Sequence, residues 1–168
     1  MRVKKSALIL LTKHFRTERL NPEIEDLLHR EELILASVGK RSVAFFIDEM
    51  LLSFILIIAM WDSFVSAQTM EELVNVTNNF VLEYIALKII YQSFFLMQYG
   101  ASLGKIAMKI RVIEIATLDN PNVLVALNRA IFRVISEMLF YLGFLWVMLD
   151  PSRQGWHDKT AKTLVVNA

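Results

Sequence analysis

Three apolar runs, each seeded with charged residues, constrain this chain more than any other feature. A helix needs about 20 mainly apolar residues to cross roughly 30 Å of hydrocarbon. Residues 43–61 (VAFFIDEMLLSFILIIAMW) are apolar apart from Asp48, Glu49 and Ser53. Residues 80–99 (FVLEYIALKIIYQSFFLMQY) carry Glu83 and Lys88. Residues 127–149 (LNRAIFRVISEMLFYLGFLWVML) begin polar and become continuously apolar only from Met138. Trp61, Tyr99 and Trp146 lie near the ends of these runs, where aromatic rings favour the headgroup level. A soluble helical bundle is the alternative. Against it, residues 51–59 and 138–149 are apolar on every helical face apart from Ser53 and Gly143. The hydrophobic share of 55% over 168 residues points the same way, since soluble domains average less. Such a chain is too apolar, and with a net charge of +1 too nearly neutral, to be disordered. It has no cysteine, which excludes disulfides, a zinc ribbon and a thiol nucleophile.

The placement of Lys and Arg orients the runs. Residues 1–42 hold nine of them, including Arg30, Lys40 and Arg41. Residues 62–79 hold none and carry Asp62, Glu71 and Glu72, while residues 100–126 return to basic with Lys105, Lys109 and Arg111. The N-terminus and residues 100–126 are therefore expected in the cytoplasm, with residues 62–79 outside. The third run is open. A full crossing puts Arg153, Lys159 and Lys162 outside, against the charge rule. A re-entrant helical hairpin, bent near Leu142-Gly143, keeps the tail inside but needs protein cover for its backbone. Two β-branched segments, residues 111–115 and 163–166, favour the hairpin, because strands pair only on one side of the membrane. Residues 33–36 are a candidate third strand. Residues 1–35 read as a basic N-terminal cytoplasmic or interfacial arm, whose apolar stretch at 7–11 is too short for a signal peptide. A short basic amphipathic segment at the membrane surface fits it better. Asn21-Pro22-Glu23 reads as a helix start, with Asn as cap and Pro in the first turn.

The charges inside the runs carry the most information. One charge at the centre of a span costs about 2.5–3.5 kcal/mol, so Asp48, Glu49, Glu83, Lys88 and Glu137 unpaired would cost about 12–17 kcal/mol together. That matches a whole domain's stability. They must pair, lose charge or face water. Arg41 and Asp48 lie two turns apart on one face, about 10 Å along the axis, too far for contact. Arg41 is expected to reach the interface. Asp48 or Glu49 with Lys88 is the preferred pair between antiparallel helices. Arg129, Arg133 and Glu137 repeat every four residues as one stripe, its arginines within reach of phosphates or of Asp48. These charges lock helices together, or they form an ion or proton path.

Other motifs are weaker. Gly100-Ala-Ser-Leu-Gly104-Lys105 is one residue short of a phosphate loop and lacks its Ser or Thr. It reads better as the start of an amphipathic helix over residues 103–110, with Lys105 and Lys109 meeting anionic lipid headgroups. His14, His29 and His157 are isolated, so no metal site is expected. Residues 154–159 read as a turn capped by Asp158. No nucleophile–base arrangement stands out, and neither an enzyme nor a cofactor is expected.

Lys40-Arg41-Ser-Val-Ala44-Phe-Phe-Ile47-Asp48 resembles the first-helix signature of the RDD family, named for one arginine and two aspartates. Gly100-Ala-Ser-Leu-Gly104-Lys105 resembles that family's Gly-x-Thr-x-Gly-Lys segment, with Ser102 for threonine. Arg129 and Arg133 fit its later arginine-containing helix. Gln154-Gly155-Trp156-His157-Asp158-Lys159, running to Thr163-Leu-Val-Val166, resembles its His-Asp…Thr-Val-Val stretch, which makes Asp158 the second aspartate. The resemblance covers residues 36–167 and implies an integral membrane protein, with transport of some ligand suggested and cation–proton antiport attached to some members. Glu49 directly after Asp48 and a short third apolar region depart from the pattern.

The expectation is therefore an all-α inner-membrane protein with two transmembrane helices, a third apolar region and a small cytoplasmic β element. Asp48, Glu49, Lys88 and Glu137 are its ion- or proton-responsive candidates. Its partners are the lipid bilayer and a second copy or another membrane protein, with no nucleic acid. A non-transporting assembly factor, whose charges dock helices or a partner, is the other reading.

Overall fold

The computed structural model describes residues 21–139 and 142–168. The proposed basic amphipathic segment and His14 lie outside the described residues. The fold is mostly helical with one small sheet. Helix α1 (Pro22–Arg30) starts where the sequence places it. The Asn21 side chain accepts from Glu23 N–H at 3.1 Å, and Pro22 occupies the first turn. Helix α2 (Val38–Ala59), 22 residues, is long and apolar enough to cross a membrane. Ser37 caps it through Lys40 N–H. Helices α3 (Trp61–Ser66) and α4 (Met70–Asn79) follow, the latter begun by a capping box between Thr69 and Glu72. Helix α5 (Val81–Tyr99) bends from α4 by 44°, and the two together meet the same span criterion as one broken segment.

Helix α5 ends at Gly100, whose φ of 65° is left-handed. A β-carbon there would also meet the tip of the Asn120 side chain at 2.3 Å and Val112 O at 3.2 Å, so the asparagine would have to move aside. The expected helix over residues 103–110 is shorter: α6 (Leu103–Ala107) gives way at Lys109, which has a φ of 53°, to β1 (Ile110–Glu114). The β-branched run from residue 110 wins over the amphipathic pattern because it has a partner strand. Helix α7 (Val123–Met138), capped by Asn122, starts four residues before the apolar run. Its last turn ends at Leu139, and α8 (Leu142–Leu149) begins at Leu142. The break therefore precedes the expected bend, and Gly143 lies inside α8. Helix α8 packs on α7 and on α9 (Trp156–Thr160), which leads into β2 (Thr163–Asn167). Residues 154–159 are thus a turn that continues as a short helix.

The strands pair antiparallel, with Val112 opposite Val165 and Ile113 opposite Leu164. Of residues 33–36, only Leu35 bridges to Val166, flanked by Ala36 N–H donating to Val165 O at 2.9 Å. A two-stranded ribbon is marginal alone. This one is covered on both faces, following the period of two in a strand. Ile110, Val112 and Val165 pack with Ala44, Leu96 and Ala126 of the long helices. Ile113, Leu164 and Val166 pack with Ile24 and Leu27 of α1. The ribbon ties the start of α2, the end of α5 and the start of α7 to one end of the molecule. The other end is different: Phe46, Met50, Phe54 and Ile58 on α2 are more than half exposed, as are Leu82 and Ile90 on α5. Exposed apolar side chains along two long helices fit a surface that faces lipid.

Candidate functional site

The charged residues gather at the ribbon end in three linked knots. The first surrounds Asp48, 1% exposed on α2. The Tyr91 hydroxyl donates to its Oδ1 at 2.9 Å, Gly104 N–H to the same oxygen at 2.8 Å, and Ser102 Oγ to its Oδ2 at 2.6 Å. Tyr91 Oη in turn accepts from Leu103 N–H at 3.1 Å. The start of α6 is therefore clamped onto α2. Gly104 makes this possible: a β-carbon would sit 2.1 Å from Ala44 O and 2.8 Å from Asp48 Oδ1. The Gly-x-x-x-Gly-Lys segment serves close approach of backbones here.

The second knot surrounds Asp158, fully buried on α9. Arg41 of α2 and Arg129 of α7 both ion-pair with it, and Gly155 N–H donates to its Oδ2 at 2.9 Å. Arg41 also donates to Arg153 O, and Arg129 to Thr163 Oγ1. Arg153 itself donates to Leu35 O and Ala36 O at 3.2 and 3.1 Å. Burial opposes ionisation of Asp158, but the guanidiniums of Arg129 and Arg41 outweigh it and hold its carboxyl well below the usual carboxylate range. His157 beside it is buried, which pushes its imidazole well down and keeps it neutral at pH 7. Arg41 therefore does not reach for an interface. The buried carboxylate of Asp158 on α9 outcompetes water for it.

The third knot joins α2, α5 and α7. Lys88 Nζ lies 2.8 Å from Glu49 and 2.5 Å from Glu137, and the Tyr84 hydroxyl donates to Glu49 Oε2 at 2.9 Å. Arg133 pairs with Glu137 at 3.2 Å and stands 3.9 Å from Glu49. Of the two acids expected opposite Lys88, Glu49 is the partner and Asp48 is not. One residue on a helix turns the side chain by about 100°, which aims Asp48 at α6 and Glu49 at α5. Arg129 and Arg133, expected within reach of Asp48, engage Asp158 and Glu137 instead.

Lys105 departs most from expectation. It is 8% exposed, so it is drawn into the protein and does not project from the surface of α6 as the amphipathic pattern implies. Its Nζ donates to Ser102 Oγ at 3.0 Å, next to Asp48. Burial, reinforced by the charge of Arg133, brings its pKa down to about 7. Lys109 is exposed. Tyr84, Tyr91, Ser102, His157 and Thr163 belong to the knots and were not singled out by role. For the tyrosines a signal existed: Tyr84, Lys88 and Tyr91 share one face of α5 at i, i+4 and i+7. Among the described residues no cluster of acids or histidines is arranged to hold a metal ion.

The model of the RDD family matches residues 35–162, which include every charged residue of the three knots. An uncharacterized protein of Rickettsia prowazekii (strain Madrid E) is 25% identical over 69 residues, covering 41% of this chain and 38% of that protein. The match spans well under half of that relative's length. No solved structure matches the chain.

Proposed function

The chain belongs to the RDD family, and from that premise we propose that it is a multi-pass inner-membrane protein whose third charge knot couples to movement of a cation or proton. The family and the apolar helix α2 fit a membrane protein. In the proposed topology α2 and the bent α4–α5 pair cross the bilayer, with the N-terminus and ribbon in the cytoplasm. The pair α7–α8 re-enters and returns. The return is supported by α8, only eight residues or about 12 Å long, and by Asp158 beyond it joining Arg41 and Arg129. The Lys and Arg distribution supports the sidedness.

The observation that carries the coupling is Lys88 shared between Glu49 and Glu137 on two different helices. Either acid neutralises it. When one takes a proton or a cation, the other retains Lys88 and Arg133 is freed to re-pair. Asp48 and Asp158 lack that freedom, because fixed donors already occupy them. The responsive role therefore falls to Glu49, Lys88 and Glu137, with Asp48 as a positioning residue. Two spans and a hairpin enclose little, so the working unit is an oligomer. No covalent chemistry or cofactor is assigned.

The test is purified protein in liposomes loaded with a pH-sensitive dye. A sodium or potassium gradient should drive a pH change that Glu137→Gln abolishes while the protein stays monodisperse. No flux under any cation or proton gradient, or flux untouched by Glu49→Gln and Glu137→Gln, overturns the reading. The fixed partners of Asp48 and Asp158 favour a second reading, an assembly factor whose charges only dock helices. Absent flux together with a stoichiometric membrane-protein partner would support it.

A further inference from the structure

The knots leave positive charge over. Five buried or largely buried cations, Arg41, Lys88, Lys105, Arg129 and Arg133, meet four acids, Asp48, Glu49, Glu137 and Asp158. The excess is concentrated. Arg41, Lys105, Arg129 and Arg133 line one partly open pocket together with Ser136 and His157. Its one lining carboxylate, Glu137, is already held by Lys88 and Arg133. Arg41 and Arg129 share the single carboxylate of Asp158. Among the described residues, no carboxylate oxygen stands within ion-pair distance of Lys105 Nζ, which donates to Ser102.

Two polar atoms of the lining are also unspent. Arg133 Nη2 and His157 Nδ1 are buried with no hydrogen-bond partner among the described residues. Each guanidinium carries five N–H donors in a flat fork, which suits the oxygens of a phosphate better than any single acceptor does. The pocket offers about 30 Å³ to the centres of water-sized groups.

We propose that this pocket binds a tetrahedral oxyanion of the phosphate class, held by Arg133, Lys105 and the spare donors of Arg41 and Arg129, with His157 and Ser136 completing the shell. The anion neutralises the excess charge and satisfies the orphaned nitrogens. It also explains why a lysine is kept in a site where burial and Arg133 press it toward neutrality, since a bound anion holds its proton. The phosphate comes either from a soluble phosphomonoester or from a lipid headgroup entering through the open side. The site shares Arg133 and Glu137 with the third knot, but it does not require the Lys88 bridge to move, and its test reads phosphate binding and not flux.

The full chain in neutral detergent tests the first source. Inorganic phosphate should raise the thermal midpoint saturably at constant ionic strength, where chloride does not, as linkage requires of a ligand that binds only the folded state. Nanodiscs test the second, with phosphatidic acid in phosphatidylcholine against phosphatidylcholine alone. A shift in either arm supports the site and identifies the source. Lys105→Gln should weaken the response at least about tenfold in affinity, a loss of ~1.4 kcal/mol. Should that variant misfold, equilibrium dialysis of labelled phosphate on the wild-type chain, expected to give one site per chain, decides alone. No saturable response in either arm, or one that Lys105→Gln leaves intact, overturns the proposal.

Discussion

Asp158 and Glu137 are both buried acids facing arginine, yet they are built for opposite purposes. Asp158 is completely enclosed and takes two guanidiniums from two helices and a backbone N–H from its own turn, with His157 Nε2 3.6 Å away. Glu137 is partly exposed and competes with Glu49 for the same lysine, with Arg133 in reserve. An acid pinned between cations fixed on two other elements acts as architecture. An acid that shares its cation can change state without leaving a naked charge behind.

The comparison breaks first at Asp158→Asn. Removing one member of a buried ionic set strands the others, at a cost of about 3–5 kcal/mol. Here two arginines are stranded, so thermal unfolding in detergent should show a collapse of the midpoint or no folded protein. Glu137→Gln should cost only about 1 kcal/mol, within the ordinary range of single substitutions, because Glu49 still serves Lys88 and Arg133. Equal losses for the two variants would erase the distinction.

A smaller effect sharpens the same contrast at the Asp48 knot. Gly104→Ala drives a β-carbon into Ala44 O and Asp48 Oδ1, backbone on one side and a fixed carboxylate on the other. Overpacking of this kind costs about 1–3 kcal/mol. Gly39→Ala, near the start of α2 with nothing within 4 Å, should be neutral or mildly stabilising. Parallel melting curves of the two variants check this, and a harmless Gly104→Ala would mean that α6 is not clamped on α2.

Much of the ribbon end was legible in the sequence, and the reasons differ by residue. The strands at 110–114 and 163–167 announce themselves by β-branching, and their pairing follows once both lie at one end. The need for Glu49 and Lys88 to find partners follows from desolvation alone. What the sequence could not supply is direction. Asp48 and Glu49 are neighbours with the same chemistry, and only the 100° step of the helix, set against the positions of α5 and α6, decides which meets lysine. Lys105 shows the converse failure. Its position on a short amphipathic segment suggests a headgroup contact, but Gly104 brings α6 so close to α2 that the lysine is drawn under the surface. The long-range pair of Arg41 with Asp158 spans most of the chain and has no local signature; the family resemblance, not periodicity, pointed to both residues.

The last expected effect is a slope with pH of at most a little over ~1 kcal/mol per unit, and it follows the cation that neither kind of knot neutralises. Lys105 faces Asp48 and Arg41 from α2 and Arg129 and Arg133 from α7, with Ser102 beside it. Its folded pKa of about 7 lies below the ordinary lysine value near ~10.4. Between those two values the unfolded chain binds the proton more often than the folded one, so stability rises with pH across that window. Below pH 7 both states are protonated and the penalty is constant. In phosphate-free buffer, the midpoint of the wild-type chain should therefore gain on that of Lys105→Met as the pH goes from about 7 to about 10, by at most a little over ~1 kcal/mol per pH unit. Parallel curves for the two proteins across that range would place the lysine in a neutralised setting, and Asp48 would then be a shared acid like Glu49 rather than a closed one.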